Sequence, residues 1–163
     1  MRPVEDVIQV VGFQERYATD FAELNYRWIS EGYVVEEHDR EILDHPAEQI
    51  INKGGQIFFA LAGNVVAGTV ALIDLKNGVF ELAKMAVAPG FQGRGLSNRL
   101  MEACIEFART AGKKAIVLES NTKQVAAVKL YRKYGFRETE LDPNSHFERA
   151  NIRMELAIDG VSR

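Results

Sequence analysis

The sequence predicts a mixed α/β domain: a central, mostly antiparallel sheet of six or seven strands with helices on both faces. Three observations carry this expectation. Apolar runs in the middle of the chain are separated by short glycine turns, Gly63-Asn64 and Lys76-Asn77-Gly78, as in β-hairpins. A strand, a glycine-rich turn and an amphipathic helix then follow without interruption over residues 79–111. Beyond them come an apolar strand, a second helix stopped by Gly135, and two more strand-like runs. Strands that begin as hairpins and finish through a β-α-β crossover make a mixed sheet. With 163 residues, 47% of them hydrophobic, residues 1–163 suit one domain with a substantial core.

In chain order, Val7–Val11 reads as a first strand. A helix from Gln14 to about Gly32 places Tyr17, Phe21, Leu24 and Trp28 on one face. Residues 33–53 form a shorter helical region broken by Pro46. Its acids, Glu36, Glu37, Asp39, Glu41, Asp44 and Glu48, face only Arg40 before Lys53. They suit a solvated helix whose dipole favours acids near its start, or a rim that attracts a cationic amine. Gly54-Gly55 opens the hairpins: strand Ile57–Ala62, strand Val65–Leu75, and central strand Val79–Val87. Ala115–Leu118 is the next strand, ending in Glu119-Ser120-Asn121. A helix from about Thr122 to Tyr134 turns Ala127, Leu130, Tyr131 and Tyr134 inward. Phe136-Arg137 begins another strand, and Phe147–Leu156 reads as the last.

The stretch after the central strand carries the chemistry. Pro89-Gly90 ends the strand, and Gln92-Gly93-Arg94-Gly95-Leu96-Ser97 opens directly into a helix burying Leu96, Leu100, Cys104, Phe107 and Ala111. Unpaired N–H groups and the helix dipole converge at such a turn and favour an anion, phosphate above all. A Walker A loop is excluded, because no lysine follows the glycines. A dinucleotide fingerprint lacks its third glycine, where Asn98 stands, although Glu119 lies near the spacing of a ribose-binding acid. Charge agrees with an anion site. Residues 1–87 carry seven Lys/Arg against fourteen Asp/Glu, residues 88–137 ten against three, and residues 138–163 three against six.

Other classes find no support. No apolar run approaches the ~20 residues of a membrane helix, and the N-terminus MRPVEDV lacks the apolar core of a signal peptide. A single cysteine excludes an internal disulfide and suits a cytoplasmic protein. His38, His45 and His146 are scattered without metal-ligand spacing, so no metal is expected. No basic, aromatic-rich stripe suggests nucleic acid.

Gln92, Gly95 and Ser97 match the spelling Q-x-x-G-x-[GA], with serine in the last small position. AAVKLYRKYGF, residues 126–136, matches A-x-x-L-Y-x-K-x-G-F at Ala127, Leu130, Tyr131, Lys133, Gly135 and Phe136. With the LESN stretch between them, these motifs resemble the GNAT superfamily of acetyl-CoA-dependent N-acetyltransferases over about residues 55–156. The resemblance implies the GNAT fold, with residues 1–54 on the substrate side and 55–156 as sheet and coenzyme-binding core. It implies direct transfer of an acetyl group from acetyl-CoA to an amine, cationic on the rim reading, with a homodimer left open. Gln92, Gly93, Arg94, Gly95, Leu96 and Ser97 would hold the pyrophosphate. Met85, Ala86 and Val87 would pair with the pantetheine arm, the N–H near Val87 facing the thioester oxygen. Asn121 and Lys133 would complete the coenzyme contacts, Gln124 standing where many members carry asparagine.

In the same resemblance Tyr131 protonates the departing sulfur and Glu81 is the base, with Glu119, His146 or water as competitors. Cys104, on the inward stripe of the loop helix, reads as filler, which favours direct transfer over an acyl-enzyme. Two further readings stay open: the same fold holding acyl-CoA without turnover, and a dinucleotide-binding oxidoreductase fragment. Small polyamine-like amines, amino acids, antibiotics and protein lysines are all compatible acceptors.

Overall fold

The computed structural model describes residues 7–145 and 147–158. Strand β1 (Ile8–Gly12) is followed by a short 3-10 turn and helices α1 (Ala18–Gly32), α2 (Glu37–Asp44) and α3 (Pro46–Gln49). Strands β2 (Gln56–Ala62), β3 (Val65–Lys76) and β4 (Val79–Val87) form the hairpins. Helix α4 (Leu96–Thr110), strand β5 (Ala115–Ser120), helix α5 (Val125–Lys133) and strands β6 (Arg137–Thr139) and β7 (Ile152–Ala157) complete the fold. The seven strands lie in the order β1-β2-β3-β4-β5-β7-β6, and only β4 and β5 run parallel. This is the mixed, mostly antiparallel sheet expected.

Two apolar clusters sandwich the sheet. Phe21 and Ile29 of α1 with Ile42 and Leu43 of α2 pack on Ile57, Phe59 and Ala71 of one face. Leu96, Leu100, Met101 and Cys104 of α4 with Tyr131 of α5 pack on Val70, Leu72, Phe80 and Leu118 of the other. The inward stripes are rotated slightly from those expected. On α1, Asn25 is buried in place of Leu24 and Trp28. Its amide donates to the Phe21 carbonyl, and its oxygen accepts the Trp28 indole N–H, so a polar side chain is satisfied inside. On α4, Met101 and Ala108 are buried while Phe107 is partly covered and Ala111 is exposed, because the helix ends at Thr110.

Two boundaries differ from expectation. The helix expected from Thr122 starts at Val125, because Asn121 captures the Lys123 N–H and its carbonyl takes the Gln124 N–H, making a turn. The last strand starts at Ile152 rather than Phe147. Residues 147–150 fold into their own turn, closed by Ala150 N–H to the Phe147 carbonyl.

The feature that positions everything else is the end of the β4–β5 pairing. The strands are paired only at Val79↔Ala115, Phe80↔Ile116 and Glu81↔Val117. Beyond that, β4 stays with β3 as far as Val87↔Gly68, and β5 stays with β7 as far as Ser120↔Ile152. The strands part, and a gap opens at the C-terminal end of the parallel pair. In the same stretch β4 carries a bulge: Ala71 faces Ala83 while Thr69 faces Ala86, so Lys84 and Met85 together oppose Val70. Lys84 takes the extra residue's conformation, φ +58, unusual for a side chain of its size.

Close backbone approach makes one glycine obligatory. A Cβ on Gly55 would stand 2.2 Å from the Leu72 carbonyl oxygen and 3.0 Å from that of Ile50, both backbone atoms. At Gly32 a Cβ would meet nothing within 4 Å. Gly55→Ala is therefore expected to lower stability by about 3 kcal/mol, at the upper end of single-substitution effects. Gly32→Ala should be neutral or stabilising by up to about 1 kcal/mol. Urea unfolding of both variants checks this; equal stabilities would remove the packing argument.

Candidate active site

Two cavities meet where β4 and β5 part. The larger, of about 480 Å³, runs along Met85, Ala86 and Val87, over Gln92, Gly93, Gly95, Leu96 and Ser97, and against Ala126, Ala127 and Leu130 of α5. The smaller, of about 80 Å³, is enclosed by Glu81 and Ala83 of β4, Glu119 of β5 and Asn121 just after it, Trp28 and Tyr33 from the α1 end, and Phe147 and Arg149 of the turn above. Met85, Gln124 and Tyr131 line both.

The larger groove has the features an extended acyl carrier with phosphates requires. Gly93 and Gly95 adopt φ +77 and +78, and the space where their Cβ atoms would be is empty. Gly95 is the N-cap of α4 and offers no side chain, so the first-turn N–H groups keep their capacity for an anion. On the side facing β5, β4 has lost its partner strand, which leaves backbone groups of Met85–Val87 for an extended ligand. Arg94 and Lys133 stand outside the lining. Arg94 is exposed over the Phe91 ring, and the Lys133 ammonium bonds Asn98 Oδ1 at 2.7 Å. Asn121 belongs to the smaller cavity instead. Its amide donates to the Arg149 carbonyl at 2.7 Å and so ties down the turn above.

Tyr131 sits at the junction, nearly buried, and burial pushes its hydroxyl up to about 12. Glu81 and Glu119 share one face of the sheet. Glu81 is opposite Val117, and Glu119 lies two residues farther along, where the side-chain alternation repeats. Glu119 accepts a 2.7 Å hydrogen bond from the Ser145 hydroxyl. His146 lies outside the described residues. Cys104 lies in the core under α4, away from both cavities, and burial pushes its thiol up, which suits filler rather than nucleophile.

Sequence reasoning missed the charged cluster behind the smaller cavity. Asp39 of α2 is fully buried. It accepts the Lys84 ammonium at 2.5 Å and a forked pair of bonds from Arg149 at 2.7 and 2.9 Å. Glu36 reaches Arg149 at 3.2 Å, and its backbone N–H donates to Asp39 in a capping box at the start of α2. Burial opposes ionisation of Asp39, but hydrogen bonds from Arg149 and Lys84 outweigh it and hold the carboxyl well below its usual range. For Lys84, burial lowers the ammonium's affinity for its proton and Asp39 restores part of it. A lysine inside the apolar run LAKMAV was the available signal. The acidic stretch is accordingly no single rim: Glu36 and Asp39 turn inward to these cations, Glu37 pairs with Arg40, and Asp44 accepts from Tyr26.

Similarity to known proteins agrees with this architecture. The sequence model of the acetyltransferase (GNAT) family matches residues 18–136. An IAA acetyltransferase of Azospirillum brasilense is 34% identical over 115 residues, covering 64% of this chain and 75% of that protein. N-acetyltransferase 8B of Rattus norvegicus is 30% identical over 104 residues, 61% of this chain, and the chain spans 47% of that longer protein. The human N-acetylaspartate synthetase is 33% identical over 97 residues, 60% of this chain and 32% of its own. In structure, a GNAT-family acetyltransferase from Staphylococcus aureus superposes with a TM-score of 0.85 at 22% identity, covering 94% of this chain and all of that one. The yncA protein of Salmonella typhimurium, solved with its cofactor acetyl-CoA, gives 0.76 at 19%, covering 96% and 97%.

The buried cluster makes a pH prediction. A carboxyl whose folded value is depressed adds stability that is fully present above its unfolded value of about 4 and is lost as pH falls toward the folded one. Part of the acid unfolding of this protein is thus assigned to Asp39, between about pH 4 and strong acid. Asp39→Asn should cost about 3–5 kcal/mol at pH 7, the penalty of stranding a buried charge, and should flatten the acid slope. Urea titrations at pH 7 and pH 3 measure both; a variant as stable as wild type at pH 7 would contradict the reading.

Proposed function

The chain belongs to the acetyltransferase (GNAT) family, and from that premise we propose that it moves the acetyl group of acetyl-CoA directly onto a primary amine. The observation that carries the proposal is the position of Tyr131, whose ring lines both the long groove and the smaller cavity. The long groove takes the coenzyme: backbone N–H groups of Gln92–Ser97 hold the pyrophosphate, and the open edge of Met85–Val87 pairs with the pantetheine arm. The smaller cavity takes the amine. Trp28 and Tyr33 reach it from the N-terminal helices, which supports residues 1–54 as the acceptor side and 55–156 as the coenzyme side of one domain.

Acetyl-CoA supplies a thioester carbonyl, and this chain's residues do the rest. Glu81 takes a proton from the ammonium so that the amine nitrogen can attack. The C–N bond forms, the backbone N–H near Val87 bonds the oxyanion, and the C–S bond breaks. The sulfur leaves with the proton of Tyr131, and the phenolate takes the second proton that the nitrogen sheds as the amide forms. At about 12 the phenol stays protonated at any working pH, and the dry environment that raises it also makes the departing thiolate more basic. The buried Cys104 gives no acyl carrier, which supports direct transfer. Among the described residues no helix is long and apolar enough to cross a membrane; a cytoplasmic location is part of this reading.

Tyr131→Phe keeps the ring and removes the hydroxyl alone. It should lower kcat by about 10²-fold, the lower range for loss of a general acid. The melting temperature and its rise on adding acetyl-CoA should be unchanged, because the interaction acts in the transition state. A variant with wild-type kcat would end the catalytic role of Tyr131.

A further inference from the structure

We propose that the acceptor is a primary amine with a compact apolar body and no carboxylate, and that the closed cluster of Lys84, Asp39, Arg149 and Glu36 excludes carboxylate-bearing amines. The inference rests on the acetyl-transfer reading of the same cavity and deepens it.

Arg149 and Lys84 are the cations that line this cavity. An arginine in an acceptor pocket ordinarily suggests an anionic substrate group, since its fork suits a carboxylate. Here the fork is already used. Both terminal nitrogens of Arg149 bond Asp39, at 2.9 and 2.7 Å, and one of them also reaches Glu36 at 3.2 Å. Lys84 gives its charge to the same Asp39 at 2.5 Å and is almost wholly buried. Two cations are therefore matched by two anions inside the protein. A substrate carboxylate brought to Arg149 would be a third anion, placed beside Asp39 and Glu36 and desolvated on the way in, with both terminal nitrogens of Arg149 already shared.

Beside its matched cations the cluster presents aromatic surface to the cavity. The Arg149 guanidinium lies 4.3 Å from the Phe147 ring centroid and 5.9 Å from those of Trp28 and Tyr33, and the Lys84 ammonium lies 4.4 Å from Phe147. The cations hold the aromatic rings in place by cation–π contact, and the rings form the wall. With Leu82, Ala83, Met85 and Ala150 they give an apolar lining for the amine's body. Ammonium binding then falls to the carboxylates of the cavity, Glu81 and Glu119, the latter held by Ser145. The carboxylates thus offer one place for an ammonium and the rings a wall for its body, which suits a monoamine rather than a polyamine or an amino acid.

Matched acceptors test this, assayed as thiol release from acetyl-CoA: phenethylamine against phenylalanine, isoamylamine against leucine, phenylalaninamide, and spermidine. Each decarboxylated amine should exceed its amino acid by at least about tenfold in kcat/KM, a modest share of the several kcal/mol that like-charge contact can cost. Phenylalaninamide, which keeps the substituent and loses the charge, should fall on the amine side. Glu36→Gln removes one anion beside Arg149 without stranding Lys84, so it should raise phenylalanine relative to phenylalaninamide by about fivefold or more. Amino acids acetylated as well as their amines, spermidine preferred to both monoamines, or an unchanged ratio in Glu36→Gln would each overturn the proposal. A thermal shift with acetyl-CoA but no thiol release from any amine would overturn it and leave the coenzyme site standing. No thermal shift at all would bring down the acetyl-transfer reading, and this inference with it.

Discussion

Three paired residues on each of two parallel strands, Val79–Glu81 with Ala115–Val117, are the constraint on which the rest of the site depends. Were β4 and β5 paired to their ends, the backbone of Met85–Val87 would be satisfied by a neighbour and no gap would open beyond Glu81. Because the pairing stops, one edge of β4 is free for an extended ligand, with Glu81 at the last ladder pair and Glu119 just past it, beside the opening. Helices α4 and α5 then sit on one face and α1 and α2 on the other, so the opening is reached from both sides of the sheet. The long groove and the small cavity are two approaches to that opening, and Tyr131 stands between them.

The bulge at Lys84 and Met85 bears on the same parting. Two residues opposing one shift the side-chain alternation, so Lys84 joins Ala83 on the face covered by α1 and α2, while Met85 turns with Leu82 toward the other. An ammonium pointing into a helix layer has to be matched, and Asp39 matches it from the first turn of α2. Arg149 makes the arrangement three-way, pulling residues 147–150 over the cavity as a roof. A buried ion pair is weak evidence of net stability, since apolar residues of the same volume often do as well. What this one adds is connection: α2, β4 and the roof, distant in the chain, share one carboxylate.

Legibility from the sequence followed the range of the interaction that decides each feature. The limits of β4, Val79–Val87, were readable because a glycine turn and a proline bracket them. The start of α4 and the inward face of α5 with Tyr131 were readable for the same local reasons, glycine punctuation and helical periodicity. The Asp39–Lys84–Arg149 cluster was not, because its members lie 45 and 110 positions apart and nothing local distinguishes Asp39 from its acidic neighbours. Asn121 reads as a coenzyme contact from the motif, and its bond to the Arg149 carbonyl 28 residues on is a pairing that only the packed roof creates. The late start of β7 has the same origin: Phe147–Ala150 reads as strand, but the cations beneath Phe147 and Arg149's own partners draw it into a turn.

Direct passage of the acetyl group from one cavity to the other requires both to be filled at once. Initial rates measured over a grid of acetyl-CoA and amine concentrations test this most directly. The account predicts double-reciprocal lines that intersect, because a ternary complex forms before the C–S bond breaks and the buried Cys104 takes no acyl group. Parallel lines, with free thiol released before any amine is added, would mean a covalent acyl-enzyme and would contradict it.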